Sequence, residues 1–311
     1  PEPEPEPEPR PEAVPARGSF RIEPRRSSRA LLKLLAASPT PVERAPPVLR
    51  QTPGCDTLCR GIWFTPDGAT CGIASPSNKH VKLWDTESAE GRVGAQRSGE
   101  VRATALSPDG DCFCAAAMDG LALYRLPERA GEPCALEWEV LSGEGVADAA
   151  FSCDGTLVGN LKIDGHALEI RDATNGALLF TLEDFDAGVF EWWRGIPGVL
   201  AFSPDTLAII GEGKGKDAAG ERQVQLHSMA PTDGYALKKA LRFGPSGSEH
   251  ADPWTLAFSS GGDRLAVGLR EKGLRIYSSE DNWSNPPLII GPPSGVASVV
   301  FSHDDRQLAV G

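Results

Sequence analysis

One short phrase recurs along the chain and restricts its fold more than any other feature: an apolar residue, then Ser or Thr, then Pro or a small residue, then an acidic turn. Its copies are Phe64-Thr65-Pro66-Asp67-Gly68, Leu106-Ser107-Pro108-Asp109-Gly110, Phe151-Ser152-Cys153-Asp154-Gly155, Phe202-Ser203-Pro204-Asp205, Phe258-Ser259-Ser260-Gly261-Gly262-Asp263 and Phe301-Ser302-His303-Asp304-Asp305. The anchors at 64, 106, 151, 202, 258 and 301 stand 42, 45, 51, 56 and 43 residues apart. A period of that length belongs to a propeller or solenoid array, in which each repeat is one supersecondary unit.

The content of each period selects the propeller. Behind the acidic turns come short apolar runs such as Cys71-Gly72-Ile73-Ala74, Leu157-Val158-Gly159, Leu207-Ala208-Ile209-Ile210 and Leu265-Ala266-Val267-Gly268. Alternating runs follow: Val81-Lys82-Leu83-Trp84-Asp85, Leu121-Ala122-Leu123-Tyr124, Ala167-Leu168-Glu169-Ile170-Arg171-Asp172 and Leu274-Arg275-Ile276-Tyr277. A fourth strand ends the unit, as in Ala177-Leu178-Leu179-Phe180-Thr181-Leu182. Helical periodicity is absent, and the 34 Gly and 27 Pro suit many short strands joined by tight turns. Four strands per period make one twisted antiparallel sheet, and sheets set radially protect one another's faces.

In these features residues 58–311 resemble the WD-repeat β-propeller family. Val81-Lys82-Leu83-Trp84-Asp85 matches its strand ending in Trp-Asp, and the Ser-Pro-Asp-Gly turns match its first hairpin. The Gly-His pair that precedes each first strand in that family is missing; Ser98-Gly99-Glu100-Val101 and Ser294-Gly295-Val296 stand there instead. The turn Asp between second and third strands is kept as Asp119 and Asp164, becomes Asn78 in the first unit and Glu271 in the fifth. The family's His–Ser–Asp–Trp network therefore cannot form in full, and stability is expected to lean on apolar packing between sheets. The resemblance implies an all-β propeller of four-stranded antiparallel blades, five complete and a sixth ending after two strands. Because rings of this family most often have seven blades, a fragment of a seven-bladed ring is expected. Trp84, closing a third strand, is expected to pack between neighbouring blades.

Two regions of opposite charge are expected: a tail over 1–53 and a propeller over 54–311. The tail holds 13 of the 27 prolines and opens with Pro-Glu repeated to Pro9, a solvated polyproline-like arm. Its net charge is +2, against −14 for the remainder, and Arg17, Arg21, Arg25, Arg26, Arg29 and Lys33 face only Glu23. It reads as a disordered leader, or as an arm that folds on a partner or on the acidic body. Arg25-Arg26-Ser27-Ser28 is a basophilic-kinase type of sequence, of a kind common in solvated basic runs. The total formal charge of −12 opposes general nucleic-acid binding. No apolar run approaches the roughly 18 residues of a membrane span.

No catalytic set assembles. His80, His166, His227, His250 and His303 fall in different blades without a nucleophile beside them. Gly211-Glu212-Gly213-Lys214-Gly215-Lys216 lacks the Gly-Lys-Ser/Thr ending of a phosphate loop, and the Asp-rich turns lack the spaced ligands of a calcium loop. Cys55 with Cys59, and Cys112 with Cys114, have no second half at zinc-finger spacing, so buried free thiols are expected. No metal, cofactor or small-molecule substrate is expected, and the cysteine usage suits an intracellular compartment, cytoplasmic or nuclear.

The surplus of the two longest periods falls in 184–198, 211–221 and 244–253, which the resemblance brings to one sector of one face. The first segment carries Phe185, Phe190, Trp192, Trp193 and Arg194, the residue types of interaction hot spots. They are the expected partner-binding residues, although Trp192 or Trp193 could equally plug the gap left by the missing Gly-His pairs. The chain is thus expected to be a non-catalytic scaffold for other proteins. Its alternatives are an enzyme using the propeller axis and a membrane or nucleic-acid adaptor acting through the basic tail.

Overall fold

Each copy of the recurring phrase closes a hairpin, and the cause is local. The hydroxyl of Thr65, Ser107, Ser152 and Ser302 donates to the Asp two residues on, at 2.6, 2.5, 2.6 and 2.7 Å. The same oxygen accepts the N–H that opens the next strand, from Thr70, Cys112, Leu157 and Gln307, at 2.9 Å each time. Those hydroxyl bonds hold the carboxyls of Asp67, Asp109, Asp154 and Asp304 below the ordinary carboxylate value. The Gly that follows is needed because the chain turns left-handed there, with φ of 72°, 83° and 73° at Gly68, Gly110 and Gly155. In the sixth copy Asp305 takes that conformation at φ 54°, which Asp tolerates better than most residues.

The computed structural model describes residues 61–311 apart from 75–78, 89, 128, 130–131, 164–166, 184–198, 213–220, 246–251, 271–272, 285–287, 291–294 and 303. Around the six hairpins the chain forms consecutive antiparallel meanders. Sheet 1 is β1 (Gly61–Phe64), β2 (Thr70–Ala74), β3 (His80–Asp85) and β4 (Gly91–Gln96). Sheet 2 is β5 (Val101–Leu106), β6 (Cys112–Ala117), β7 (Gly120–Arg125) and β8 (Ala135–Leu141). Sheet 3 is β9 (Val146–Phe151), β10 (Leu157–Lys162), β11 (Leu168–Asp172) and β12 (Leu178–Leu182). Sheet 4 is β13 (Leu200–Phe202), β14 (Thr206–Glu212), β15 (Glu221–Ser228) and β16 (Leu237–Pro245). Sheet 5 is β17 (Pro253–Phe258), β18 (Arg264–Leu269), β19 (Leu274–Ser278) and β20 (Leu288–Ile290), and β21 (Val299–Phe301) pairs β22 (Leu308–Val310) in sheet 6. The first strand of each sheet lies beside the first strand of the next. The fold is all-β and propeller-like.

The core lies between the sheets. On β1 Trp63 points toward sheet 2, where its indole N–H donates to Thr104 Oγ1 at 3.0 Å. Its ring meets Phe113 at 5.4 Å between centroids, and Phe113 stacks on Tyr124 at 5.5 Å. Trp138 does the same between sheets 2 and 3, donating to Ala173 O at 2.9 Å. Leu161, Leu168 and Ile170 of sheet 3 share one cluster with Leu200, Phe202 and Ile209 of sheet 4 and with Leu256, Leu265 and Val267 of sheet 5.

Trp84 takes no part in the packing between sheets 1 and 2. It belongs to the face of sheet 1 turned away from sheet 2, opposite Gly91, and it is half-buried. Cross-strand alternation explains this: Trp63 pairs Gly72 and Gly72 pairs Leu83, so Trp84, one residue on, falls on the other face. Ile62, Phe64 and Val93 share that face and are 60, 56 and 51% exposed. Of the cysteines, Cys71 and Cys114 are buried thiols as expected, whereas Cys153 is exposed in its turn. Complete burial pushes the Cys114 thiol up to about 12.

Sheet 4 carries a buried polar stripe, Gln223, Gln225 and His227, on the face toward sheet 3. His227 Nδ1 lies 3.0 Å from Tyr235 O, a carbonyl that can only accept, so Nδ1 carries the hydrogen. Burial pushes this imidazole below 6.5, and the folded protein therefore holds it neutral more firmly than the unfolded chain does. That stability is complete above the unfolded value of 6.5 and is lost as pH falls from there toward the folded value. Melting midpoints should drop between about pH 7 and pH 5, and His227→Gln should flatten most of that slope. His80, lowered by burial and by Lys82, is expected to supply the remainder.

Candidate functional site

Every link between sheets comes to the same edge as the turns between second and third strands, and hydrogen bonds fasten the two together. Met118 N donates to Glu100 O at 3.0 Å, Ile163 N to Gly145 O at 3.3 Å, Arg270 N to Asp252 O at 2.9 Å and Val296 N to Leu269 O at 2.8 Å. The hairpins of the recurring phrase occupy the opposite edge, because successive strands of a meander alternate in direction.

The link into sheet 2 has the most developed side-chain lock. Arg97, with 2% of its side chain exposed, places Nη2 3.1 Å from Asp119 Oδ1 and Nη1 2.9 Å from Glu139 Oε2. Its Nε donates to the same Asp119 oxygen at 3.2 Å. The Ser98 N–H and hydroxyl satisfy Oδ2 at 2.9 and 2.5 Å. Burial works to raise the Asp119 carboxyl, but Ser98, the Gly99 N–H and Arg97 outweigh it and hold the group below its ordinary value. Beside the apolar packing expected between sheets, this link adds a polar lock: an arginine fork answers the turn Asp. The signal was in the sequence as Arg97-Ser98-Gly99 ahead of β5, but nothing in the spacing said that Arg97 would reach Asp119.

A second polar cluster lies on the sheet 3 face toward sheet 2. Arg171 Nη2 and Lys162 Nζ reach Glu169 at 2.6 and 3.2 Å, Asn160 donates to Glu169 at 3.1 Å, and Lys162 donates to Ser142 Oγ at 3.1 Å. Burial raises the Glu169 carboxyl, yet Arg171, Asn160 and Lys162 bring it below its ordinary value. Each of these groups is answered by a neighbour, which suits a structural clamp. Among the described residues no group of three or more His, Cys, Asp or Glu stands where it could hold a metal ion.

The expected partner-binding residues Phe185, Phe190, Trp192, Trp193 and Arg194 lie outside the described residues, as do the tail and Cys55 and Cys59. What the structure does place is the frame around them. The link 184–198 leaves β12 after Leu182 and returns at Val199, whose N–H is held by the buried Asp148 carboxylate at 3.0 Å. Val199 O in turn accepts Ile210 N at 3.0 Å, two residues before 213–220 leave β14 beyond Glu212. That segment returns at Glu221, which pairs directly with Pro245, where 246–251 depart. Thus 184–198 ends, 213–220 both begins and ends, and 246–251 begins at one edge of sheet 4. Among the described residues no helix is long and apolar enough to cross a membrane.

No family model matches the chain, and no curated protein matches it. Among solved structures, the hydrazine synthase of Kuenenia stuttgartiensis is similar with a TM-score of 0.61 at 15% identity, covering 81% of this chain and 73% of that one. At that identity the likeness is one of fold: the two share a propeller-like all-β arrangement.

Proposed function

We propose that the chain is a non-catalytic, intracellular scaffold of the WD-repeat propeller type that holds protein partners through the long links on one face. The observation that carries this reading is the convergence of 184–198, 213–220 and 246–251 on one edge of sheet 4. Loops set on a rigid sheet edge are where recognition residues concentrate, and the first of these segments holds Phe185, Phe190, Trp192, Trp193 and Arg194.

The same reading includes a larger ring. In sheet 2 the cross-strand pair Phe113–Tyr124 receives Trp63 from sheet 1, and in sheet 5 the pair Leu265–Tyr277 receives Phe243 from sheet 4. Cys71–Trp84 is the equivalent pair in sheet 1, on the apolar face with Ile62, Phe64 and Val93. That face is built to receive a further sheet of the same repeat.

The test uses a partner captured on the full chain. Trp193→Ala is expected to weaken its binding by about 2 kcal/mol or more with the melting midpoint little changed. Trp192→Ala is the internal control, since adjacent residues of an extended segment point to opposite sides: one of the pair should cost binding and the other stability. If neither variant loses affinity beyond its loss of stability, the assignment of the site is wrong.

A further inference from the structure

The innermost strands of sheets 2, 3 and 5 share an irregularity. In each, one extra residue interrupts the ladder to the second strand at the same position. It is Arg102 between Val101 and Ala103, Ala147 between Val146 and Asp148, and Trp254 between Pro253 and Thr255. A bulge leaves its extra residue unpaired and re-aims the side chain, and bulges gather beside functional sites. All three lie at the edge where the links converge.

Sheet 3 puts only a methyl group at this position, and sheet 2 puts a charge that is answered locally, Arg102 pairing Glu100 at 3.1 Å. Sheet 5 differs. Its bulged residue is the half-buried Trp254, and the guanidinium carbon of Arg270 lies 5.5 Å from the centroid of the indole. Arg270 is exposed, and among the described residues it has no carboxylate partner. A guanidinium held against an indole keeps its planar N–H edge for an anion, and the ring restricts its rotamers beforehand. The pair also stands where 246–251 rejoin the fold, since Asp252 O accepts the Arg270 N–H.

The charge along the sequence points the same way. Residues 221–280 hold eight Lys and Arg against seven Asp and Glu, a net of +1, in a propeller region whose net charge is −14. Along the sequence this stretch is thus less repulsive to a short acidic segment than the propeller region as a whole. A nucleic acid could also stack on an indole, but a long polyanion would extend over the acidic remainder.

We infer that Trp254 and Arg270 seat a carboxylate of an acidic peptide segment in the partner. This rests on the scaffold reading above and adds the partner's chemistry. The probe is fluorescein-labelled octaglutamate, titrated into the full chain by fluorescence polarisation at low salt, with octaglutamine and oligothymidylate as reference arms. Octaglutamate should bind at least about tenfold more tightly than octaglutamine, a gap of about 1.4 kcal/mol, and should weaken with added salt. Arg270→Ala should remove about tenfold of the affinity, and Arg270→Lys should recover little of it, because an ammonium neither forks nor stacks as a guanidinium does. Trp254→Leu should behave like Arg270→Ala, and Arg306→Ala, an exposed charge on the opposite edge, should leave binding unchanged.

Equal binding of octaglutamate and octaglutamine, an Arg270→Ala variant that binds as the parent does, or tighter binding of oligothymidylate would overturn the inference. The two readings fail separately. Partner binding that depends on Trp193 while octaglutamate does not bind overturns this inference alone. Octaglutamate binding that depends on Arg270 while both 184–198 variants keep their partner overturns the loop assignment alone.

Discussion

Trp63→Ala is expected to cost about 3–5 kcal/mol, the largest loss of any single truncation in the described core. Trp63 is 8% exposed, fills the space between sheets 1 and 2, and meets the Phe113 ring at a tilt of 37°. Its neighbours cannot close the cavity, because Gly72 directly beneath the ring has no side chain to move in. The same geometry makes Gly72→Ala costly, since an added Cβ would come within 2.1 Å of the indole. Thr104→Val separates the polar part from the packing part. It removes the acceptor 3.0 Å from the indole N–H, and a buried donor left unpaired costs about 1–3 kcal/mol. Urea midpoints at constant slope would measure all three. The comparison that decides is with half-buried Trp84: if Trp84→Ala costs as much as Trp63→Ala, the register of sheet 1 is wrong.

Arg97→Met should be nearly as damaging, at about 3 kcal/mol, toward the lower end for breaking a buried ion pair because Glu139 is partly solvated. The substitution keeps much of the apolar stem and leaves the Asp119 carboxylate, 17% exposed, without the guanidinium that answers it. Arg97→Lys should recover only part of the loss, since one ammonium cannot span Asp119 and Glu139 as the fork does. The acid limb gives an independent readout. Asp119 has a folded pKa below its ordinary 3.8, so its contribution is complete above the unfolded value and is lost as pH falls through the folded one. Arg97→Met should therefore shrink the stability difference between neutral pH and about pH 3. An unchanged acid limb in that variant would mean that the ion pair contributes nothing to the folded state in solution.

The repeat, the strand type and the hairpins were legible in the residues alone. A Ser or Thr hydroxyl and an Asp two to four residues on, with a Gly after the Asp in three copies, make the turn through bonds within six residues, so its six copies were readable without the fold. Strands such as β3, β7, β11 and β19 were legible because an alternating run is a local property too. β15 was harder to see, since its polar Gln223, Gln225 and His227 are buried only because sheet 3 covers them.

Adjacency in space settled the rest. Which tryptophan fills an interface depends on cross-strand pairing: Trp63 and Trp84 look equally suited in the chain, and only the pairing of Trp63 with Gly72 puts the first inside. Replacement of the absent Gly-His pair by Arg97 required two segments 22 residues apart to meet. The pairing of Trp254 with Arg270 came from a one-residue bulge, which no periodicity announces. Short-range hydrogen bonds are written in neighbouring residues, whereas a side chain's face and its partner across a sheet depend on where the rest of the chain has already been placed.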